Sequence, residues 1–235
     1  MKYKNIFLIN LVLICSCSNN NSSIHENIYF DYVEFNSKIY INGLLDNYKN
    51  KEIDLIIPST INSLPIVSIK ACAFENTKIK SLSFENDSNL SIIDEGAFGY
   101  CTSLEKIILP SSLQVINAFA FENCVNLKEI DFSLCNEIEK ISTATFINNT
   151  SLESLVLPNC INVIETEAFA NCDNFKEIII SSSIDIIEDY AFNNDIKLNI
   201  KFKDITSLPN NFSSDWNYSD KLCENNTNYI SYEFV

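Results

Sequence analysis

The sequence predicts a mainly β solenoid, a stack of about six repeats of 23–25 residues with a parallel sheet along one face and a cap at each end. Three observations carry that expectation. Phe74, Phe98, Phe121, Phe146, Phe169 and Phe192 recur at spacings of 24, 23, 25, 23 and 23 residues. Five residues ahead of each stands an isoleucine: Ile69, Ile93, Ile116, Ile141, Ile164 and Ile187. Directly ahead of each stands a small residue, Ala73, Ala97, Ala120, Thr145, Ala168 or Ala191. A unit this short cannot bury its own apolar face, so the copies stack and each covers its neighbours.

Further along each unit, Leu104, Leu127, Leu152, Phe175 and Leu198 stand six residues after the phenylalanine. In the four middle copies two more apolar positions follow at +9 and +11: Ile107 and Leu109, Ile130 and Phe132, Leu155 and Leu157, Ile178 and Ile180. In the outer copies, Leu82 with Phe84 and Ile200 with Phe202 come one residue earlier. Alternation over a few positions is a strand signal, and each turn is expected to lay one strand beside the last. Asn76, Asn123, Asn148, Asn171 and Asn194 recur two residues after the phenylalanine, with Tyr100 the exception. Two readings of that column stand side by side: an asparagine ladder bonding the next turn, or solvent-facing turn residues.

The segments that carry these positions resemble the BspA-like leucine-rich repeat. Leu104–Pro110 (LEKIILP), then Leu113, Ile116 and Ala120–Cys124 (AFENC), show the pattern, and the frame returns at Leu152–Pro158 and Ile164–Cys172. Leu55–Thr60 (LIIPST) with Pro65-Ile66-Val67 resembles the family's opening turn, and Pro209–Tyr218 its closing segment. The likeness spans residues 51–218. It implies a leucine-rich-repeat solenoid displayed on a cell surface and engaged in protein binding, with adhesion to host or extracellular-matrix proteins among the expected activities. It supplies no catalytic residues.

At the start, Lys2 and Lys4 precede the apolar Ile6–Ile14, a pattern that fits a secretory signal and is too short to span a bilayer as a helix. Ile14-Cys15-Ser16-Cys17 is similar to a bacterial lipobox, which makes Cys17 the expected lipid attachment site and the membrane an expected partner through it. The expected division is therefore a lipoprotein signal peptide (1–16), lipidated Cys17 with a polar tether (17–27), an N-terminal cap (28–50), the repeat solenoid (51–203) and a C-terminal cap (204–235). The first cap reads as a hairpin, Tyr29–Phe35 and Lys38–Ile41, turning near Asn42-Gly43. Trp216, Tyr218, Tyr229, Tyr232 and Phe234 are expected to close the far end. The predicted localisation is an exported, membrane-anchored lipoprotein at the outer membrane or cell surface.

Composition narrows the function. The net charge is −15, and two units more negative once Lys2 and Lys4 leave with the signal; all 16 basic residues are lysine. A chain so acidic and without arginine is a poor match to nucleic acid or to anionic lipid. Of the nine cysteines, Cys101, Cys124 and Cys172 stand three residues after the phenylalanine and Cys135 and Cys160 follow a strand at similar distances, which reads as buried filler thiols rather than a disulfide framework. His25 is the only histidine, no Cys-x-x-Cys pair occurs, and three glycines leave no phosphate loop. No nucleophile stands beside a histidine base, so neither an enzyme, a cofactor, a metal site nor a small-molecule substrate is expected. Acidic residues after the repeat isoleucine (Asp94, Glu95, Glu165, Glu167, Glu188, Asp189) form a row broken by Asn117, Ser142 and Thr143, which reads as a solvated edge rather than a calcium ladder.

Protein binding remains. With alternate strand positions turned inward, the intervening ones face solvent: one column runs Ile56, Ser83, Ile108, Asp131, Val156, Ile179, Lys201, and the other includes Lys106, Glu129, Ser154 and Glu177. Aliphatic residues at exposed strand positions mark the candidate partner-binding face, although β-propensity alone also places Ile and Val there. The alternative function is a structural or housekeeping envelope lipoprotein, facing the periplasm and without an external ligand.

Overall fold

The computed structural model describes residues 30–193, 198–216 and 230–235. Every regular element there is a strand, and the elements wind into a solenoid of about seven turns around one continuous apolar core. A hairpin comes first, β1 (Phe30–Phe35) and β2 (Lys38–Leu44), followed by β3 (Ile53–Ile57), β4 (Thr60–Ile61) and β5 (Leu64–Ile69). Two families of strands then alternate. The front family continues from β3 with β6 (Ile79–Phe84), β8 (Lys106–Ile108), β10 (Glu129–Asp131), β12 (Ser154–Val156), β14 (Glu177–Ile180), β16 (Leu198–Phe202) and β17 (Ile230–Phe234). The side family continues from β5 with the two-residue strands β7 (Ile92–Ile93), β9 (Val115–Ile116), β11 (Lys140–Ile141), β13 (Val163–Ile164) and β15 (Ile186–Ile187).

Within each family successive turns pair in parallel except at one repeat, residue against its repeat counterpart, as in Ile107↔Ile130 and Ile178↔Ile200 in front and Ile93↔Ile116 at the side. The predicted anchors fill the interior: the six isoleucines and six phenylalanines lie at 0–1% exposure. A seventh column that sequence reading left unassembled, Ile66, Leu90, Leu113, Ile138, Ile161 and Ile184, is buried with them. The phenylalanine rings stack from Phe74 to Phe192 with centroids 4.9–5.6 Å apart and nearly parallel planes. Burying one such ring stabilises by roughly 1.5–3 kcal/mol, and the chain repeats that contribution at every turn.

The third side carries no strand yet has its own ladder. The phenylalanine N–H donates to the carbonyl just ahead of the next phenylalanine, as in Phe74 to Ala97 (2.7 Å) and Phe98 to Ala120 (2.8 Å). Two columns of left-handed residues turn the chain there. One is Cys72, Gly96, Phe119, Ala144, Glu167 and Tyr190; the other is Asn76, Tyr100, Asn123, Asn148 and Asn171. A non-glycine residue in this region costs roughly 1–2 kcal/mol, least for asparagine, which settles the second column as turn residues. Asn171 does donate to Asn148 (2.9 Å), but on the exposed side.

The side-chain ladder lies one position later. Cys101, Cys124 and Cys172 donate their thiols to the carbonyls of Phe74, Phe98 and Phe146, at 3.0–3.2 Å. Asn149, at the same repeat position, donates its amide to Phe121 O (2.9 Å). The Phe74 and Phe98 carbonyls also accept from their own turn, from the Thr77 N–H and hydroxyl and from the Cys101 N–H, and the thiol adds the bond from the next turn; a buried carbonyl left short of donors is costly. All six cysteines among the described residues are free, and burial pushes the thiols up, Cys101 to about 11 and Cys172 to about 12.

The hairpin turns at Asn36-Ser37, both at positive φ, and not near Asn42-Gly43. Gly43 instead sits inside β2, opposite Asp31 at a bulge, where a Cβ would lie 2.2 Å from Ala73 O. An asparagine-glycine pair is a common turn signal, but here the glycine serves close approach of two backbones. At the far end Phe202, Phe212, Trp216, Tyr232 and Phe234 pack as one aromatic group beside β17, which extends the front sheet. Cys17, the signal and tether, His25, Asn194, Tyr218 and Tyr229 lie outside the described residues.

The front sheet is not continuous. β3, β6, β8 and β10 form one sheet, and β12, β14, β16 and β17 another. The side sheet breaks in the same repeat, between β9 and β11.

Candidate interaction face

The front strands alternate cleanly, so their outward positions follow from the inward ones. Leu82, Ile107, Ile130, Leu155, Ile178 and Ile200 point into the core, and their flanking residues point out. Ile56 lies on β3, Lys106 and Ile108 on β8, Glu129 and Asp131 on β10, Ser154 and Val156 on β12, Glu177 and Ile179 on β14, and Lys201 on β16. The register aligns them: Ile56 with Ser83, Lys106 with Glu129, Ile108 with Asp131, Ser154 with Glu177, and Val156 with Ile179 and Lys201. All ten thus lie on one side of the front strands, in two groups separated by the break.

Their environments differ. Val156 is 61% exposed and Ile56 39%, whereas Ile108 and Ile179 are half-buried between neighbours. The charged members pair within the face: Lys106 with Glu129 at 2.7 Å, and Lys201 with Glu177 at 2.7 Å. A second row beside them, Lys128 with Glu105 and Lys176 with Glu153, repeats the arrangement at 3.2 Å. Exposed pairs of this kind contribute about 0–1 kcal/mol each. Asp131 accepts from the Ser133 N–H (2.8 Å), and the Ser133 hydroxyl and amide hold its carboxyl below the usual range.

Between the two groups lies a cleft of about 680 Å³ lined by Lys128–Ser133 on one wall, Ser154–Asn159 on the other, and Cys135. Leu134, 57% exposed, stands in the same connection. Neither Leu134 nor the cleft was anticipated; the signal available was the 25-residue spacing between Phe121 and Phe146, the longest of the series.

The acidic row after the repeat isoleucine bridges turns. Asp94 accepts from Asn117 Nδ2 (2.9 Å) and Lys70 Nζ (3.3 Å). Glu165 accepts from Lys140 Nζ (2.6 Å) and from the Thr143 amide and hydroxyl, and Glu188 accepts likewise from Thr166. Burial would raise the Asp94 and Glu165 carboxyls, but these donors outweigh it and hold both below the usual carboxylate range. On the strandless side, burial and then Glu75 push Glu122 up. Among the described residues no group of three or more His, Cys, Asp or Glu side chains is placed to hold a metal ion.

Stacked turns, parallel two-strand sides and a phenylalanine spine define a leucine-rich-repeat solenoid. This chain belongs to the BspA type leucine rich repeat region family, which matches residues 67–199 in six copies. Of solved structures, a leucine rich repeat protein from T. pallidum is 26% identical over 74% of this chain and 82% of its own, with a TM-score of 0.62. A leucine-rich repeat protein from Eubacterium ventriosum is 18% identical over 83% of this chain and 54% of its own, with a TM-score of 0.57, and shares the fold. A search of curated proteins finds no match. Proteins of this family typically serve as non-enzymatic scaffolds for protein–protein interaction and are often surface proteins.

Proposed function

We propose that this chain is a surface lipoprotein, tethered through Cys17 and residues 18–27, whose front strand face binds protein, including host or extracellular-matrix proteins. The observation that carries this reading is Val156, a β-branched aliphatic left 61% exposed at the end of β12. Ile56, Ile108 and Ile179 occupy the same column, and Ser154 beside them is small enough to let a partner approach. Lys106, Glu129, Asp131, Glu177 and Lys201 would form the polar rim of that contact, a common arrangement of protein interfaces. The lipobox-like junction and the acidic, arginine-free composition support an exported protein kept soluble at a surface.

The test is capture of host extracellular proteins on immobilised residues 18–235, beside the variant Ile108→Lys, Val156→Lys, Ile179→Lys with native circular dichroism. Partners held by the wild type and lost by the variant support the reading. Equal retention by both moves the site off the front face.

One observation favours a second reading, an envelope lipoprotein facing the periplasm. The charges of the front face are satisfied by one another, Lys106 by Glu129 and Lys201 by Glu177, leaving few groups to recognise a partner. Protease treatment of intact cells separates the two, since only a surface-displayed chain would be cut.

A further inference from the structure

We infer that the solenoid is two blocks joined by a hinge along the Phe121–Phe146 edge, which lets the two halves of the front face change their relative angle. The first block ends with β10 and the second begins with β11, so the connection 132–139 carries the chain from one to the other. Both sheets lose their ladder at this repeat. Elsewhere in front, Leu109 N donates to Asp131 O, Leu157 N to Ile179 O, Lys128 N to Glu105 O and Lys176 N to Glu153 O. At the break, the amides of Phe132, Glu153 and Ser154 make no corresponding bond among the described residues. On the side sheet, Asn117 N reaches Ile93 O and Glu165 N reaches Ile141 O, while Ser142 bonds Ile116 O through its hydroxyl instead. A cleft opens on each face, the front one and a second of about 710 Å³ bordered by Val115, Asn136, Lys140 and Val163. The lysine–glutamate pairs along the front stay within one block or the other.

The third side holds. Phe119, Phe121 and Asn123 donate to Thr143, Thr145 and Ile147 at 2.9–3.2 Å, and the two rings stack at 5.5 Å. The front edge is open, the side edge is crossed by side-chain bonds alone (Ser142 Oγ to Ile116 O and Gln114 Nε2 to Glu137 Oε2), and the intact edge constrains translation and leaves bending about itself. The geometric cause is length: Phe121 and Phe146 are 25 residues apart, against 23 for each of the two following repeats. A longer perimeter cannot stay in register on three sides at once. The 24-residue repeat from Phe74 keeps both ladders, with a front arm one residue shorter absorbing part of the excess.

The experiment is a set of distance distributions by pulsed electron spin resonance on the full chain, with bioorthogonal spin labels. One pair crosses the cleft, at Ile108 and Ile179. Two controls stay within a block, Ile56 with Ile108 and Val156 with Lys201. The hinge predicts a crossing distribution about twice as broad as the controls, a width set by slow collective motion. Equal widths would overturn it. A second variant replaces Ser133–Glu137 by Pro-Ser-Ser, the sequence of the neighbouring repeat, and is expected to narrow the crossing distribution to the control width. If that variant fails to fold, the wild-type comparison still decides.

Discussion

Phe121 and Phe146 stack at 5.5 Å with planes 6° apart, across the one repeat where both sheets are interrupted. The spine of rings, rather than either sheet, is therefore the element that runs unbroken from Phe74 to Phe192. Truncation inside it should be more damaging than truncation on the front. Phe121→Ala is expected to lower unfolding free energy by about 3–5 kcal/mol, measured by chemical denaturation. Val156→Ala, at an exposed position, should change it by no more than about 0.5 kcal/mol.

The thiol ladder gives a second expectation. Cys124→Ala removes the thiol donor to Phe98 O and leaves that carbonyl with the Cys101 N–H alone, so a loss of roughly 0.5–1.5 kcal/mol is expected. Cys124→Thr should recover part of it, because Thr77 sits at the same position of the first repeat, buried and within 3.3 Å of Cys101 Sγ. In the folded protein, alkylation mapped by mass spectrometry should leave Cys101, Cys124, Cys135 and Cys172 unmodified at neutral pH, since burial pushes Cys101 up to about 11, Cys135 and Cys172 to about 12, and Cys124 well above the ordinary thiol range.

Acid should weaken the fold in a defined window. Asp94, Asp131 and Glu165 have folded values below their ordinary 3.8 or 4.5. Their contribution is present above the unfolded values and is lost as pH falls through the folded ones. Glu122, shifted upward by burial and Glu75, acts in the opposite sense and gains in relative stability on protonation. Denaturation curves across roughly pH 2 to 7 should show Glu165→Gln less stable than wild type at neutral pH. The two should converge once Glu165 is protonated.

Gly43 is held by proximity. Its φ of +146° and the 2.2 Å approach a Cβ would make to Ala73 O leave no room for alanine. Gly43→Ala is expected to loosen the hairpin from the first repeat, read as a lowered melting temperature and faster amide exchange in β2. Gly99→Ala, whose nearest contacts would be 3.3–3.5 Å away and include the flexible Glu122 side chain, should be milder.

Much of this architecture was legible because a repeat states its own rule several times. The isoleucine and phenylalanine columns, the strand positions and the family resemblance all followed from spacing. What escaped depended on three-dimensional accounting. The asparagine column attracted attention as a possible ladder, while the thiols one position later bond the buried carbonyls; spacing cannot say which side chain faces inward at a left-handed turn. Asn42-Gly43 carried a turn signal, yet Gly43 answers to Ala73, thirty residues on. The outward front positions were placed correctly as a set, but their mutual pairing (Lys106 with Glu129, Lys201 with Glu177) needed the register between strands. The break in the sheets was written only as a 25-residue interval among shorter ones.

The most direct test of a protein-binding front face is photo-cross-linking in living cells. A benzoyl-phenylalanine placed at Val156, and separately at Glu75 on the strandless side, reports what lies against each surface. A protein-binding front face gives discrete protein adducts from Val156 and none from Glu75. No adduct from Val156, or the same adducts from both positions, would contradict it.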